Sequence, residues 1–291
     1  MKLNPKLRGP GWFLALALMG VAAGASVEAQ TTPKAQEQSE SIDGFRDTPM
    51  LPGKPWHLHD PDRPQPRVVT PPTTFSQGAP APSDAEVLFD GRDLSKWQNG
   101  RGEAPHWKVQ DGYLETGRGG GIRTRGAWAD FQLHVEWAAP LPAQGSGQGR
   151  GNSGILINGM YEVQVLDSFR AKTYPDGQAG AIYGQVPPLV NASKPPGEWQ
   201  TYDILFESPR WNEAGELIKK ACVTVIHNGV VIHHRYEFAG GTDGISREVP
   251  WKTLAKYTPH PPEVFIGLQD HNNPVRYRNV WIRPLGEYDK P

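Results

Sequence analysis

Apolar and polar residues alternate in short runs from Phe131 onward: Phe131, Leu133, Val135 and Trp137; Tyr161, Val163 and Val165; Tyr202, Ile204 and Phe206; Ala221, Val223 and Val225. Successive side chains of a strand point to opposite sides of its sheet, so each run predicts a strand with one buried face. Asn228-Gly229 falls between the apolar stretches 223–226 and 230–232 and supplies the positive φ angles of a two-residue hairpin turn. No window of helical length carries a sustained 3.6-residue stripe, and glycines and prolines punctuate the region throughout. The pattern predicts an all-β fold, an antiparallel sandwich of jelly-roll type. Long connections interrupt it at 141–150, 170–197 and 238–261, a length that in a compact domain marks functional or disordered segments. The second of these mixes apolar and rigid residues, AGAIYG over 179–184 and Lys194-Pro195-Pro196-Gly197, which argues for an ordered loop able to wall a cleft.

One strand breaks the rule that a strand's second face is featureless. In GNSGILINGMYEVQVLDS, residues 151–168, Glu162 and Gln164 share one face while Tyr161, Val163 and Val165 share the other. An acid and an amide side by side on a strand are costly to bury without partners. A ligand accounts for them, and so does a solvated outer face.

The first 29 residues read as an export signal. Lys2, Lys6 and Arg8 precede an apolar run from Trp12 to Ala25, and Val27-Glu28-Ala29 offers a small-residue cleavage site. The run is too short to span a bilayer comfortably, and no later segment could cross one. The expected location is periplasmic or secreted. Residues 30–83 are rich in proline and poor in aliphatic residues, which predicts an extended tether or a surface-hugging arm. The folded domain is then expected over 84–291. Within the arm, Trp56-His57-Leu58-His59-Asp60 has the residue types of a loose metal cluster, but flexible His and Asp beside a Trp are more often solvated. The balance of 30 basic against 31 acidic residues leaves no electrostatic footprint for nucleic acid or anionic lipid. The single cysteine, Cys222, has no mate for a disulfide and reads as a small core hydrophobe.

Taken together, Leu88-Phe89-Asp90-Gly91 with Leu94 and Trp97, the 151–168 stretch, AGAIYG with its following Pro-Pro, Lys194-Pro-Pro-Gly-Glu-Trp199 leading into Tyr202-Asp203, and LQDHNNPVRYRNVWIRPL from Leu268 resemble the 3-keto-disaccharide hydrolase domain family. The resemblance covers about 86–285 and implies a concanavalin A-like sandwich. It also implies an exported enzyme acting on a glycoside whose C3 hydroxyl a partner sugar 3-dehydrogenase has already oxidised. A C3 ketone acidifies the C2 proton and leaves the glycosidic oxygen β to the carbonyl. A base can then expel the aglycone through an enolate, and water adding to the enone completes hydrolysis. Such a site needs a general base, donors or a cation for the enolate and an acid for the leaving group. It does not need the paired carboxylates of an ordinary glycosidase.

Glu162 is the first candidate for the base, with a structural pairing to Arg276 or Arg278 as the alternative. Gln164 and Asn152 are placed to bind sugar hydroxyls, although Asn152 equally suits a turn. Asp167 lies five residues from Glu162 and shares its face only if the strand bulges. With a bulge, Glu162 and Asp167 would approximate the two carboxylates of a retaining glycosidase, so a conventional glycosidase is the second reading and a non-catalytic carbohydrate-binding module the third. Asp270-His271 follows an apolar strand and sits where side chains converge, His271 as acid, base or metal ligand, with Gln269 beside them as a substrate contact. Arg276 and Arg278 share a face suited to an enolate or to neighbouring carboxylates. Tyr183 and Lys194 are candidate donors to substrate, and Trp199 a platform for a sugar ring. A divalent cation on Glu162, Asp270 or His271 could polarise the ketone, though no compact metal motif supports it.

Overall fold

The computed structural model describes residues 43–117, 119–242 and 253–287. The expected export signal, the first part of the proline-rich segment and 243–252 of the last long loop lie outside the described residues. Among the described residues there is no α-helix, only two 3₁₀ turns, at Gly147–Gly149 and Pro175–Gly177. None is long and apolar enough to cross a membrane.

The alternating runs form the predicted strands, gathered into two main sheets. The larger has the order β15 (Val230–Glu237), β14 (Cys222–His227), β11 (Gln200–Glu207), β7 (Phe131–Ala138), β17 (Arg276–Pro284), β5 (Tyr113–Glu115) and β4 (Lys108–Gln110), with β2 (Glu86–Phe89) also paired to β17. The smaller runs β3 (Trp97–Asn99), β6 (Ile122–Thr124), β16 (Ile266–Leu268), β8 (Ser153–Ile157) and β9 (Tyr161–Val165). All pairings within these two sheets are antiparallel. A short hairpin, β12 (Arg210–Trp211) with β13 (Leu217–Lys219), stands apart.

Register brings the apolar sets into one core. Phe206 lies opposite Phe131, Ile204 opposite Leu133 and Tyr202 opposite Val135, all fully buried. Tyr161 of the smaller sheet meets the Phe206 ring of the larger at 5.7 Å, so the two inner faces interlock. Each such side chain contributes about 1.5–3 kcal/mol by leaving water. The Asn228-Gly229 turn closes β14 onto β15 with φ angles of 51° and 81°, as predicted. Cys222 is free and buried at the start of β14.

Because Tyr161, Val163 and Val165 fill the core, Glu162 and Gln164 face outward from the smaller sheet. That face is not solvated. The loop 170–186 folds over it and bonds to the outer edge of β9, with Gln164 N–H donating to Ala181 O, Gly180 N–H to Gln164 O, and Val163 bridging to Ile182. A free strand edge is thereby capped.

Residues 43–83 lie against the sandwich and touch both of its outer faces. On the smaller-sheet side, Leu58 and His59 are buried to 1% and 0% exposure, and Gln178 donates to Gln65 across the contact. Farther along, β1 (Arg67–Val68) pairs in parallel with β10 (Val190–Asn191). On the larger-sheet side Ser76 donates to Asp203 at 2.8 Å and Gly78 N–H to Glu136. The expectation that His59 and Asp60 are solvated is corrected here. The Asp60 carboxylate accepts the backbone N–H of His57 and of Asp62, closing a tight turn that rolls Leu58 and His59 inward.

Candidate functional site

The site grows from β9. Pairing with β8 is unbroken from Ser153↔Val165 to Ile157↔Tyr161, so Glu162 lies opposite Leu156 and Gln164 opposite Gly154 on the outward face. Leu156 pairs in turn with Gly267, and Gly267 with Arg123, which makes one cross-strand row from Glu162 to Arg123. Two positions on this face, Gly154 and Gly267, lack side chains. A Cβ at Gly154 would run into Glu162 Oε1 and lie 3.1 Å from its Cδ, so the carboxyl rests over the bare backbone. Glycine inside a strand marks a close approach of another group, and here it clears a floor beside the acid.

That floor continues into a cavity of about 730 Å³ lined by Leu156 and Gly267 and by the polar side chains Arg101, Glu103, His106, Arg123, Gln269 and Asp270. Its size suits a small-molecule ligand. Asp270 is held as part of the rim, accepting Gly120 N–H at 3.1 Å and Asn272 N–H at 2.9 Å. Gln269 is anchored through its backbone, N–H to Gly154 O and carbonyl to the Ser153 hydroxyl.

Over Glu162 stands a cluster of rings. Tyr183 N–H donates to the Glu162 carbonyl at 3.2 Å, and the Tyr183 and Tyr174 hydroxyls are 2.8 Å apart. The His59 ring sits against both, its centroid 4.3 Å from Tyr174 and 4.8 Å from Tyr183. Burial raises both phenols well out of the range in which they could ionise, and the nearby Glu162 charge adds to it. They are therefore neutral donors. Glu162 itself is 4% exposed, and no hydrogen bond or ion pair to its carboxyl is found among the described residues. Burial without a compensating partner pushes the carboxyl up to about 8. A strongly perturbed acid one residue across the sheet from a cavity-lining position, Leu156, is a candidate proton-transfer group.

The other predicted residues divide. Gln164 and Asn152 join a network around Gln148: Gln164 Nε2 donates to Gln148 Oε1 at 3.1 Å and Asn152 Nδ2 to the Gln148 carbonyl at 2.8 Å, while Asn152 Oδ1 is buried without a partner. Asp167 lies beyond the end of β9 and pairs with Arg150 at 2.7 Å. Its carboxylate is committed to that arginine rather than left free beside Glu162 as the second acid of a retaining pair. His271 is exposed on the loop after Asp270.

Arg276, Arg278, Trp199 and Lys194 belong to the opposite side of the molecule, which corrects the expectation that the arginines lie near the base. Tyr277 between them points into the core, so both arginines project from the outer face of the larger sheet. There Arg278 pairs with Glu136 at 2.7 Å and covers Trp199, its guanidinium 4.2 Å from the ring centroid. Lys194 donates to Thr73 O of the arm. Burial alone would raise Glu136, but the nearby His134 ring and hydrogen bonds from Asn279, Gly78 and Arg278 hold it at about 2. These groups fasten the arm to the sandwich.

Sequence reasoning missed His59, Tyr174, Asp176 and Gln148. The first had a signal in the His-Leu-His-Asp run, whereas Tyr174 and Asp176 sit in a loop with no periodicity to place them. No group of three or more His, Cys, Asp or Glu is gathered closely enough to hold a metal among the described residues, and Glu162, Asp270 and His271 do not form one.

This architecture and these residues match a family model described as a 3-keto-alpha-glucoside-1,2-lyase-like domain over residues 84–283. The chain belongs to this family. Among its relatives, the 3-keto-disaccharide hydrolase of Bacteroides thetaiotaomicron is 26% identical, the alignment covering 70% of this chain and 80% of that protein. A Parabacteroides distasonis ATCC 8503 protein, provisionally named a glycosyl hydrolase, has a crystal structure 42% identical in sequence. It covers 81% of this chain and 100% of its own, with a TM-score of 0.67. A second such structure from that organism, at 21% identity and a TM-score of 0.50, covers 69% of this chain and 94% of its own. The 3-keto-alpha-glucoside-1,2-lyase-like domain contains Glu162, Tyr174, Asp176 and Tyr183, whereas His59 precedes its first matched residue.

Proposed function

We propose that this chain is an exported hydrolase that cleaves 3-keto-disaccharides by elimination and hydration, with Glu162 as the base. The observation that carries the reading is a buried, unpartnered carboxyl at about 8, resting on a glycine floor beside a cavity with room for a sugar. The relative's name supports the substrate class, and the basic start and apolar run before residue 30 support export.

In this mechanism the ionised Glu162 carboxylate takes the C2 proton. The C–H electron pair moves into an enolate on the C3 oxygen, for which the half-buried Tyr183 hydroxyl is the available neutral donor. The enolate collapses, the C1–O bond breaks, and the departing oxygen takes the proton from Glu162. Water then adds at C1 of the enone and C2 regains a proton, giving the two sugars. The conventional glycosidase reading loses support because its second carboxylate, Asp167, is committed to Arg150. The substrate ketone must come from a sugar 3-dehydrogenase acting earlier.

A base at about 8 is mostly protonated at neutral pH, so kcat/KM should rise about tenfold per pH unit well below 8 and level off above it. The assay is release of monosaccharide from a 3-keto-disaccharide and from its unoxidised parent, across that range. Cleavage of the keto form alone, with this rise, supports the proposal. Equal cleavage of both sugars would sink it.

A further inference from the structure

The proline-rich arm carries a buried histidine that packing alone does not explain. His59 is fully buried, and its backbone is held in the left-handed region at φ 58°, an uncommon and mildly strained choice for a residue with a side chain. The Asp176 carboxylate grips it twice, accepting its backbone N–H at 3.1 Å and facing its ring Nδ1 at 3.4 Å. Arg63, 3.8 Å from the same carboxylate, steadies Asp176 from the arm. In the tautomer with Nδ1–H directed at Asp176 the Nε2 lone pair is left free, and Nε2 is a buried nitrogen without a hydrogen-bond partner among the described residues. An orphaned buried polar atom costs about 1–3 kcal/mol, and of the histidine nitrogens so left among the described residues, that of His59 is the one on a ring packed against Tyr174 and Tyr183. The groups packed around the ring are Asp176, Tyr174, Tyr183 and Phe45, and the two tyrosines are those that stand over Glu162.

Resting on the proposed reaction, we infer that His59 is a second catalytic residue, the base for the hydration half. A carboxylate–imidazole pair with a free Nε2 is the arrangement that activates hydroxyl nucleophiles in other folds. Neutral Nε2 takes one proton from the water as its oxygen bonds to C1 of the enone. The enone electrons move to the C3 oxygen as an enolate, and the resulting imidazolium returns a proton to C2. Glu162 has already passed the original C2 proton to the departing aglycone, so proton count and charge balance over the cycle. The active site is thus completed by a residue outside the family-matched domain.

The test follows two products in one sample of full-length protein given a 3-keto-disaccharide: the released aglycone sugar, and the unsaturated 3-keto sugar against its hydrated form. His59→Gln and His59→Asn should keep aglycone release within about tenfold of wild type while slowing hydration about 100-fold or more. The unsaturated ketone then accumulates and is read by its ultraviolet absorbance. The ratio of the two rates does not depend on how much of a variant folds. Equal loss of both steps, or no change in either, would overturn the role of His59. Failure of the wild-type protein to release any sugar would instead overturn the reaction itself.

Discussion

Glu162→Gln is expected to lose about 10³-fold in kcat/KM on a 3-keto-disaccharide, the range typical of removing a positioned general base, and to become more stable than wild type at pH 8. The two effects share one cause. Glu162 sits in a site that disfavours its charge, with a folded value of about 8 against about 4.5 for an ordinary glutamate. Below the lower value both folded and unfolded states hold the proton, and the residue has no pH-linked effect. Between the two values only the unfolded chain ionises, so wild-type stability falls with rising pH by about 1.4 kcal/mol per unit. Above about 8 both states are ionised and the loss stops growing. Glutamine has nothing to ionise. Its amide must still be buried, so the variant should match or fall slightly below wild type at pH 5 and exceed it by several kcal/mol at pH 8. Chemical denaturation at those two pH values, beside turnover, separates this outcome from ordinary misfolding, which would lower stability at both.

Gly154→Ala is expected to lower kcat/KM by about 100-fold while costing little stability. The new methyl would collide with Glu162 Oε1, the far end of a side chain that can swing, rather than with backbone. Gly154 has no positive φ, so alanine suits its strand conformation. The carboxyl must therefore move by about an ångström, and displacements of that size are enough to cost two orders of magnitude in rate. An unchanged melting temperature with the lowered rate is the expected pair of results. Full activity in the alanine variant would mean that the carboxyl need not lie over Gly154 to act. The same experiment at Gly267 tests the floor farther from the acid, where a Cβ would sit 3.3 Å from that of Leu156.

The fold was legible because its signal is local. Alternation in 131–137, 161–165, 202–206 and 221–225 depends only on which face each residue presents, and the core takes the same apolar residues. Asn228-Gly229 needs no tertiary information to form its turn. Glu162 stood out for the same reason, as an acid on a strand face. What the pattern could not give was which side of the sandwich each face belongs to. Arg276 and Arg278 lie on a strand of the larger sheet and Glu162 on one of the smaller, a separation decided by strand order rather than by spacing. The arm was harder still. Proline-rich composition predicts an extended chain but not what that chain rests on, and His59 is buried through a contact with Asp176, 117 residues away.

Cleavage of a 3-keto-disaccharide in D₂O tests elimination at C2 directly. The released 3-keto sugar is expected to carry one deuteron at C2, beyond the slow exchange seen without enzyme, because Glu162 hands the original C2 proton to the aglycone and the replacement comes from water. A product that keeps its original proton at C2 through complete cleavage would contradict elimination at this site.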